Sequence, residues 1–449
     1  MRFEKKTIGI LERALSRLEM GFEDLPDVAQ DLDLEEIEGI MLEVADRMCD
    51  NYPYFHPLYA GQMLKPPHPI ARLAYMLSLW INPNNHALDG GRASSRMEKE
   101  VVSDLAGIFN WDTHLGHLTG GGTMANMEAL WVAGRINPGK KVVASEHAHY
   151  THRRLSGVLG LGFESIPADR HGRMDIAALE EVLRGGDVGT VVATIGTTGT
   201  GSVDPLSEIL ELREEYGFRL HADAAYGGYF TLVDNLSPQT RQAFDRMPYV
   251  DSIVIDPHKH GLQPYGCGCI IYRDPEVGRF YKHDSPYTYF TSSELHLGEI
   301  SLECSRPGAS AVALWATHKL LPPIQGGQFA KGLARSREAA LDLYDRVESE
   351  GRLLNMLHPE LDIVVWAPRA KSISDISSLS ERLFQACERN SLYLAKLRYP
   401  TRYLDGIWRD VEMDLDTVTC LRSCLMKPEH MEWMDRIWAI LEQSIDELE

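Results

Sequence analysis

The stretch IVIDPHKHG, residues 253–261, joins four residues suited to a buried strand to a proline, then sets Lys259 between two imidazoles, His258 and His260. A lysine at the mouth of a core can do covalent work, because a neutral amine adds to aldehydes and forms an imine. Three other apolar runs end in comparably polar residues. VVASEHAHYTH ends in histidines that include His149, VVATIGTTGTG in threonines that include Thr198, and RLHADAAYGG in Asp223 followed by Ala225. In an open α/β sheet, ligands bind at the carboxyl ends of the strands. If these four runs are parallel strands, an acid, a lysine and several imidazoles share one rim.

HLTGGGTMANMEAL offers that rim a phosphate anchor. Its glycines, Gly122 among them, let the backbone approach closely, Thr123 adds a hydroxyl, and a helix follows at once. Helix N-termini hold phosphate through free N–H groups and the helix dipole. An aldehyde that carries a phosphate and a basic ring nitrogen uses every part of the set. Lys259 forms the imine, Asp223 keeps a pyridine nitrogen protonated, and His149 lies on the ring. Pyridoxal phosphate is that cofactor. The glycines also admit a second reading. Gly120-x-Gly122-x-x-Ala125 fits the dinucleotide pattern, and Glu146 stands near the position of a ribose-binding acid, so a nicotinamide-dependent oxidoreductase stays open. Against it, the run NWDTHLGHL before the glycines is a poor strand, and Asp223 and Lys259 are left without a task.

The elements that must position these residues follow from texture. From about residue 55 to 315 short apolar runs (KKVVAS, VGTVVATI, FRLHADAA, DSIVIDP) alternate with amphipathic segments (TMANMEALWVAGR, MDIAALEEVL, LSEILELREEYG). Such alternation predicts an α/β domain with a mostly parallel sheet. The organisation expected is a helical N-terminal arm over 1–55, a large α/β domain over 56–315, and a smaller α+β C-terminal domain over 316–449. In the arm, ILERALSRLEM and LEEIEGIMLEVADRM carry apolar residues at helical spacing, with a break at PDVAQDLD.

Bulk properties exclude some function classes. The chain has 449 residues, of which 44% are hydrophobic, enough for a sizeable core. Its formal charge of −20 disfavours nucleic acid and anionic membrane as partners, because both repel an acidic surface. No apolar run reaches the length of about eighteen residues that a membrane helix needs. The start, MRFEKKTIGILERAL, does not read as a secretory signal. Seven scattered cysteines without paired CxxC spacing read as packed thiols of a reducing cytoplasm, and no metal site is expected.

Taken in order, HLTGGGTMANMEAL, SEHAHYTH, ATIGTTGTGSVDPL, HADAAYGG, DSIVIDPHKHGLQPYGCG and SLECSRPGA resemble the group II pyridoxal-phosphate-dependent amino acid decarboxylases over roughly residues 52–320. The resemblance implies the PLP-dependent transferase fold type I, with a mostly parallel seven-stranded sheet in the large domain. It also implies a homodimer with active sites at the interface, and loss of carbon dioxide from an amino acid. On this chain it implies Lys259 as the Schiff-base lysine, His258 near the cofactor phosphate, Asp223 on the pyridine nitrogen and Ala225 against the ring. It further implies His149 as the stacked histidine, Gly122 and Thr123 as the phosphate-binding pair, and Thr198 as a ring contact. Tyr287 falls where the family has a loop tyrosine that returns a proton to Cα, and Arg306 where it has an arginine near the substrate carboxylate.

The departures touch the substrate more than the cofactor. His260 stands where the family usually has Trp, Met124 where Glu is usual, Cys304 where Gly is common, and GRASSRME replaces an SPAATELE-like stretch. Asn84, Asn85 and His86 lie where aromatic decarboxylases carry apolar pocket residues, which points to a polar substrate and makes His86 a candidate substrate contact. His114, His117, His147 and His152 read as structural. Oxidative deamination after decarboxylation, carbon–carbon lysis and transamination use the same cofactor and remain alternatives. They are decided by loop residues and proton delivery.

Overall fold

The computed structural model describes residues 5–26, 28, 32–282, 300–404 and 406–448. Seven strands form the large sheet: β1 (Leu115–Thr119), β2 (Lys141–Ser145), β3 (Phe163–Ile166), β4 (Val188–Thr194), β5 (Arg219–Asp223), β6 (Ser252–Ile255) and β7 (Gly268–Tyr272). Their order is β1-β7-β6-β5-β4-β2-β3. The pairs β2–β3, β2–β4, β4–β5 and β5–β6 are parallel, and β7 runs antiparallel to both β6 and β1.

Sheets of this kind are covered on both faces, so their strands read as continuous apolar runs. The side-chain alternation shows it here. Val191, Ala193, Ile253 and Ile255 enter one core with Leu179, Leu206 and Phe244. Their neighbours Val192 and Val254 face the opposite way, toward small clusters that include Leu130 and Ala129 of the helix Gly122–Ile136.

LGHLT, expected to be a poor strand, is β1. His117 sits inside it, fully buried, with its Nε2 3.0 Å from Glu128 Oε2 on the helix Gly122–Ile136. The polar residue that hides the strand's pattern is matched by a partner from another element.

The second sheet comprises β8 (Leu353–Asn355), β9 (Ile363–Pro368), β10 (Ala395–Pro400) and β11 (Thr417–Cys424), all antiparallel, in the order β10-β11-β9-β8. Val364, Trp366 and Leu421 face a core shared with the helices Gln328–Ser349, Ile373–Arg389 and Glu429–Asp446. Ile363, Val365 and Cys420 face the other way and join the large sheet's own core. The expected boundary at 316 falls inside the helix Gly308–Leu320, which packs on the helices Pro69–Ser78 and Arg92–Ile108. Thr317, the residue after that boundary, is buried.

The arm forms the two expected helices, Lys5–Glu19 and Leu34–Met48. Asp33 caps the second by accepting from the Glu35 and Glu36 N–H groups, yet the helix buries none of its residues in this chain.

Candidate active site

Because β2, β4, β5 and β6 are parallel, their carboxyl ends meet on one rim. The cavity there has a volume of about 630 Å³ and is lined by Gly122, Thr123, His149, Thr198, Asp223, Ala225, His258 and Lys259, among others. All eight cofactor-contact residues expected from the sequence therefore open into one space.

Pro257 ends β6, and the turn after it closes through the Lys259 N–H donating to the Asp256 carbonyl at 2.9 Å. That turn aims Lys259 Nζ at Asp256 Oδ2, 3.1 Å away. Asp256 is 2% exposed, and its Oδ1 has no hydrogen-bond partner among the described residues. His258 donates from Nδ1 to the Cys267 carbonyl at 2.8 Å, which turns its ring against the glycine loop. Burial lowers the His258 pKa, with Asp256 opposing the shift.

The glycine loop leads straight into the helix Gly122–Ile136. Gly121 has φ +148°, a conformation that favours glycine. A Cβ on Gly122 would stand 2.6 Å from Asp256 Oδ2. The loop is thus a cradle open to an anion only because these positions lack side chains. In this state the Gly120 N–H donates to Glu303 Oε2 at 3.0 Å, so a carboxylate already sits at the loop.

Asp223, at the end of β5, is buried and accepts from His152 Nε2 at 2.8 Å and from the Ala225 N–H at 3.2 Å. Burial by itself would raise its pKa. The hydrogen bond and charge of His152, with Lys259, outweigh burial and hold the carboxyl well below the usual range. The result is a fixed anion at the floor of the cavity.

Behind it, His221 donates from Nε2 to Asn126 Oδ1 at 2.9 Å and pairs through Nδ1 with Ser252 Oγ at 3.0 Å, which fixes one neutral tautomer. Burial pushes its pKa down to about 3. A group depressed from 6.5 to that value binds its proton more readily in the unfolded chain, so its contribution to stability is lost as the pH falls from about 6.5 toward 3. His221→Gln is therefore expected to flatten the dependence of unfolding free energy on pH between pH 6 and 4.5 by up to about 1.4 kcal/mol per pH unit, the value for one proton. Parallel denaturant titrations of parent and variant across that range check it.

His149 accepts at Nδ1 from the Thr151 N–H at 3.4 Å and lies 2.8 Å from Thr151 Oγ1, so the proton resides on Nε2. Burial lowers its pKa, so the ring is neutral and suited to lie on an aromatic partner.

Three expectations need correction. Arg306 does not line the cavity. It is 5% exposed, and its guanidinium donates to Glu98 Oε1 and the Leu118 carbonyl, both at 2.6 Å, and to the Asn85 carbonyl at 3.2 Å. A cation so engaged ties the chain together and is not free for a substrate carboxylate. His86 lies outside the cavity of its own chain. Its N–H donates to Asn84 Oδ1, which also accepts from the Arg306 N–H, and Asn85 is held by Glu98 and Ser94. His152, read as structural, is the partner of Asp223. Tyr287 lies outside the described residues.

The dinucleotide reading fails on Glu146. That carboxylate accepts from the Ala168 N–H at 3.0 Å, from Arg402 at 2.5 Å and from the Tyr403 hydroxyl, and it does not reach the cavity.

Sequence reasoning missed Asp256, His152, His221 and Asn126. The first two carried a signal. Asp256 stands three residues before Lys259 in a turn and so reaches the residue it serves, whereas His152 stands three after His149 in the same histidine-rich strand ending although it serves Asp223.

The site residues fit pyridoxal phosphate. A buried anion, an amine, a neutral imidazole and a side-chain-free cradle at a helix N-terminus are what an aldehyde, a pyridine ring and a phosphate require. The comparisons agree. The profile described as the pyridoxal-dependent decarboxylase conserved domain matches residues 17–367. The chain belongs to the pyridoxal-dependent decarboxylase family. It is 28% identical over 440 residues to an L-tyrosine decarboxylase of Enterococcus faecium, covering 74% of this chain and 72% of that one. It is 30% identical over 328 residues to a probable L-tyrosine/L-aspartate decarboxylase of Methanothermobacter thermautotrophicus, covering 72% and 86%. Among solved structures, Oryza sativa TDC with PLP and tryptamine aligns over 100% of this chain and 99% of its own, with a TM-score of 0.79 at 17% identity, which shows the shared fold. Mouse CSAD aligns over 96% and 92%, with a TM-score of 0.78 at 20% identity. As a member of this family, the decarboxylase is a pyridoxal-phosphate-dependent carboxy-lyase acting on an amino acid, on fold type I.

Proposed function

We propose that the decarboxylase converts an L-amino acid to its amine and carbon dioxide as a homodimer in a reducing cytoplasm. The observation that carries this reading is the opening of Lys259, Asp223 and the glycine cradle into one cavity. When bound, pyridoxal phosphate supplies an aldehyde for the substrate amine and a ring that accepts the electron pair released with carbon dioxide. Lys259 would hold the cofactor through its amine. Asp223, ionised and oriented by His152, keeps the proton on the ring nitrogen. His149 would pack on the ring, with Ala225 and Thr198 beside it. Gly122, Thr123 and His258 bind the phosphate. Tyr287 returns a proton to Cα.

Dimerisation is supported by the arm. Leu34, Ile37, Met41, Val44 and Met48 recur at helical spacing on Leu34–Met48 and are all exposed in the single chain. A second copy is the occupant that the family resemblance supplies. Among the described residues no helix is long and apolar enough to cross a membrane, and the seven cysteines are free thiols, as a reducing compartment allows.

The experiment is a substrate panel. L-Tyrosine, L-aspartate and L-2,4-diaminobutyrate, taken from the names of its relatives, head a wider set of L-amino acids. Carbon dioxide and the matching amine are expected from at least one, without hydrogen peroxide or ammonia. Peroxide with ammonia would assign oxidative deamination instead, and no carbon dioxide from any of them would reject the reading. In the same preparation, Ile37→Asp with Met41→Asp is expected to shift light-scattering mass from dimer to monomer.

A further inference from the structure

Behind the catalytic rim is a second cavity of about 560 Å³, between the helix Pro69–Ser78, the start of the helix Gln328–Ser349 and the turn at Lys427. Lys65, Arg72, Lys331, Arg335 and Lys427 line it, against one acid, Glu429. Arg335 already pairs with Glu432 at 2.9 Å, which leaves four cations facing one carboxylate among the described residues, a local reversal of sign in a chain of net charge −20.

Two of the ammonium groups bond to neutral backbone carbonyls. Lys427 is 4% exposed, and its Nζ donates to the Tyr59 carbonyl at 2.7 Å. Lys65 Nζ donates to the Met426 carbonyl at 3.3 Å. Burial, with mutual repulsion at Lys427, lowers the pKa of Lys65 to about 8 and that of Lys427 to about 7, although Asp362 and Glu429 oppose the shift at Lys65. Buried charges left in this condition are costly unless a counter-ion joins them.

A second observation points the same way. His260 lines the cavity, is fully buried, and among the described residues neither of its ring nitrogens makes a hydrogen bond. Its Nε2 lies 3.3 Å from Asp362 Oδ2, whose carboxylate is already bound through Oδ1 by the Tyr226 hydroxyl at 2.6 Å. The long helix beginning at Gln328 adds its positive end, since Gly327 at its cap has no side chain to satisfy the first N–H groups.

We propose that this cavity binds a compact dianion, phosphate or a short dicarboxylate, at a site separate from the catalytic centre but sharing with it the turn that carries Lys259 and His260. Lys65 and Lys427 meet the anion at the bottom, and Arg72 and Lys331 at the mouth. The replacement of the family's usual Trp by His260 places a polar ring on the wall of this cavity.

The test uses the holoenzyme, in which pyridoxal phosphate already fills the catalytic phosphate cradle. Inorganic phosphate and succinate are titrated separately by calorimetry, with melting temperature followed in parallel. Saturable binding of at least one of them, with a rise in melting temperature, is expected. Phosphate alone or succinate alone then names the oxyanion. Lys331→Glu and Arg72→Glu alter exposed residues outside the catalytic machinery. Each is expected to keep the parent's decarboxylation rate in anion-free buffer while raising the half-saturating concentration by about tenfold or more, an effect well within the reach of one reversed charge. Weakened binding in either variant supports the site. Absence of saturable binding for both anions, or unchanged affinity in both variants, overturns it.

Discussion

Asp223→Ala is expected to lower the rate of decarboxylation by about 10²–10⁴-fold at saturating substrate and cofactor, the range for a group that governs proton position in the transition state. The acid is buried, held by His152 at 2.8 Å, and kept ionised by that contact against the pull of burial. Its role requires charge, since only an anion stabilises a protonated pyridine nitrogen. Asp223→Asn keeps the shape and loses the charge, so it should be nearly as slow as Asp223→Ala, whereas a packing role would spare it. His152→Gln should fall between parent and Asp223→Asn, because it leaves the carboxylate in place and removes the group that orients it. Steady-state kcat for the four proteins, measured after saturation with pyridoxal phosphate, decides among these outcomes. A kcat for Asp223→Asn equal to the parent's would remove the acid from the mechanism.

Lys259→Ala is expected to stop turnover and release the cofactor on gel filtration. The amine would be the covalent attachment of the cofactor, and the other contacts would be non-covalent. The substitution also strips Asp256 of the ammonium 3.1 Å away, when its second oxygen already lacks a partner among the described residues. The apo variant should therefore lose about 1–3 kcal/mol of stability, the cost of leaving a buried acceptor unsatisfied. Lys259→Ala with Asp256→Asn should recover part of the loss without recovering activity. Absorbance of the eluted protein and denaturant melts of the apo forms check both halves.

Much of the rim was legible because parallel strands announce themselves twice, as apolar runs and as abrupt polar endings. DSIVIDP, FRLHADAA, KKVVAS and VGTVVATI become β6, β5, β2 and β4, and their polar ends converge as the sheet's connectivity requires. β1 was hidden because its burial is two-sided while its sequence, LGHLT, includes a glycine and a histidine. Only Glu128, on the helix that follows, makes His117 acceptable there.

Arg306 misled for the converse reason. In sequence it stands as a cation in a motif, and nothing local reveals that Glu98, more than two hundred residues earlier, neutralises it. Long-range pairing also explains Glu146, whose place near a ribose-binding position is cancelled by Arg402 and Tyr403. Asp256 was within reach, since a spacing of three residues from Lys259 in a turn is a readable signal, whereas the pairing of His152 with Asp223 spans 71 residues. His260 was out of reach too, because the reversal of direction after Lys259 that turns it from the rim to the second cavity is a property of the folded turn.

The most direct measurement is to saturate the purified protein with pyridoxal phosphate, reduce it with borohydride, digest it and locate the modified peptide by mass spectrometry. The account predicts a visible absorption that disappears on reduction and a single pyridoxyl group on the peptide containing IVIDPHKHG, at Lys259. A stable adduct on a different lysine, or a colourless protein with no adduct after saturation, would contradict it.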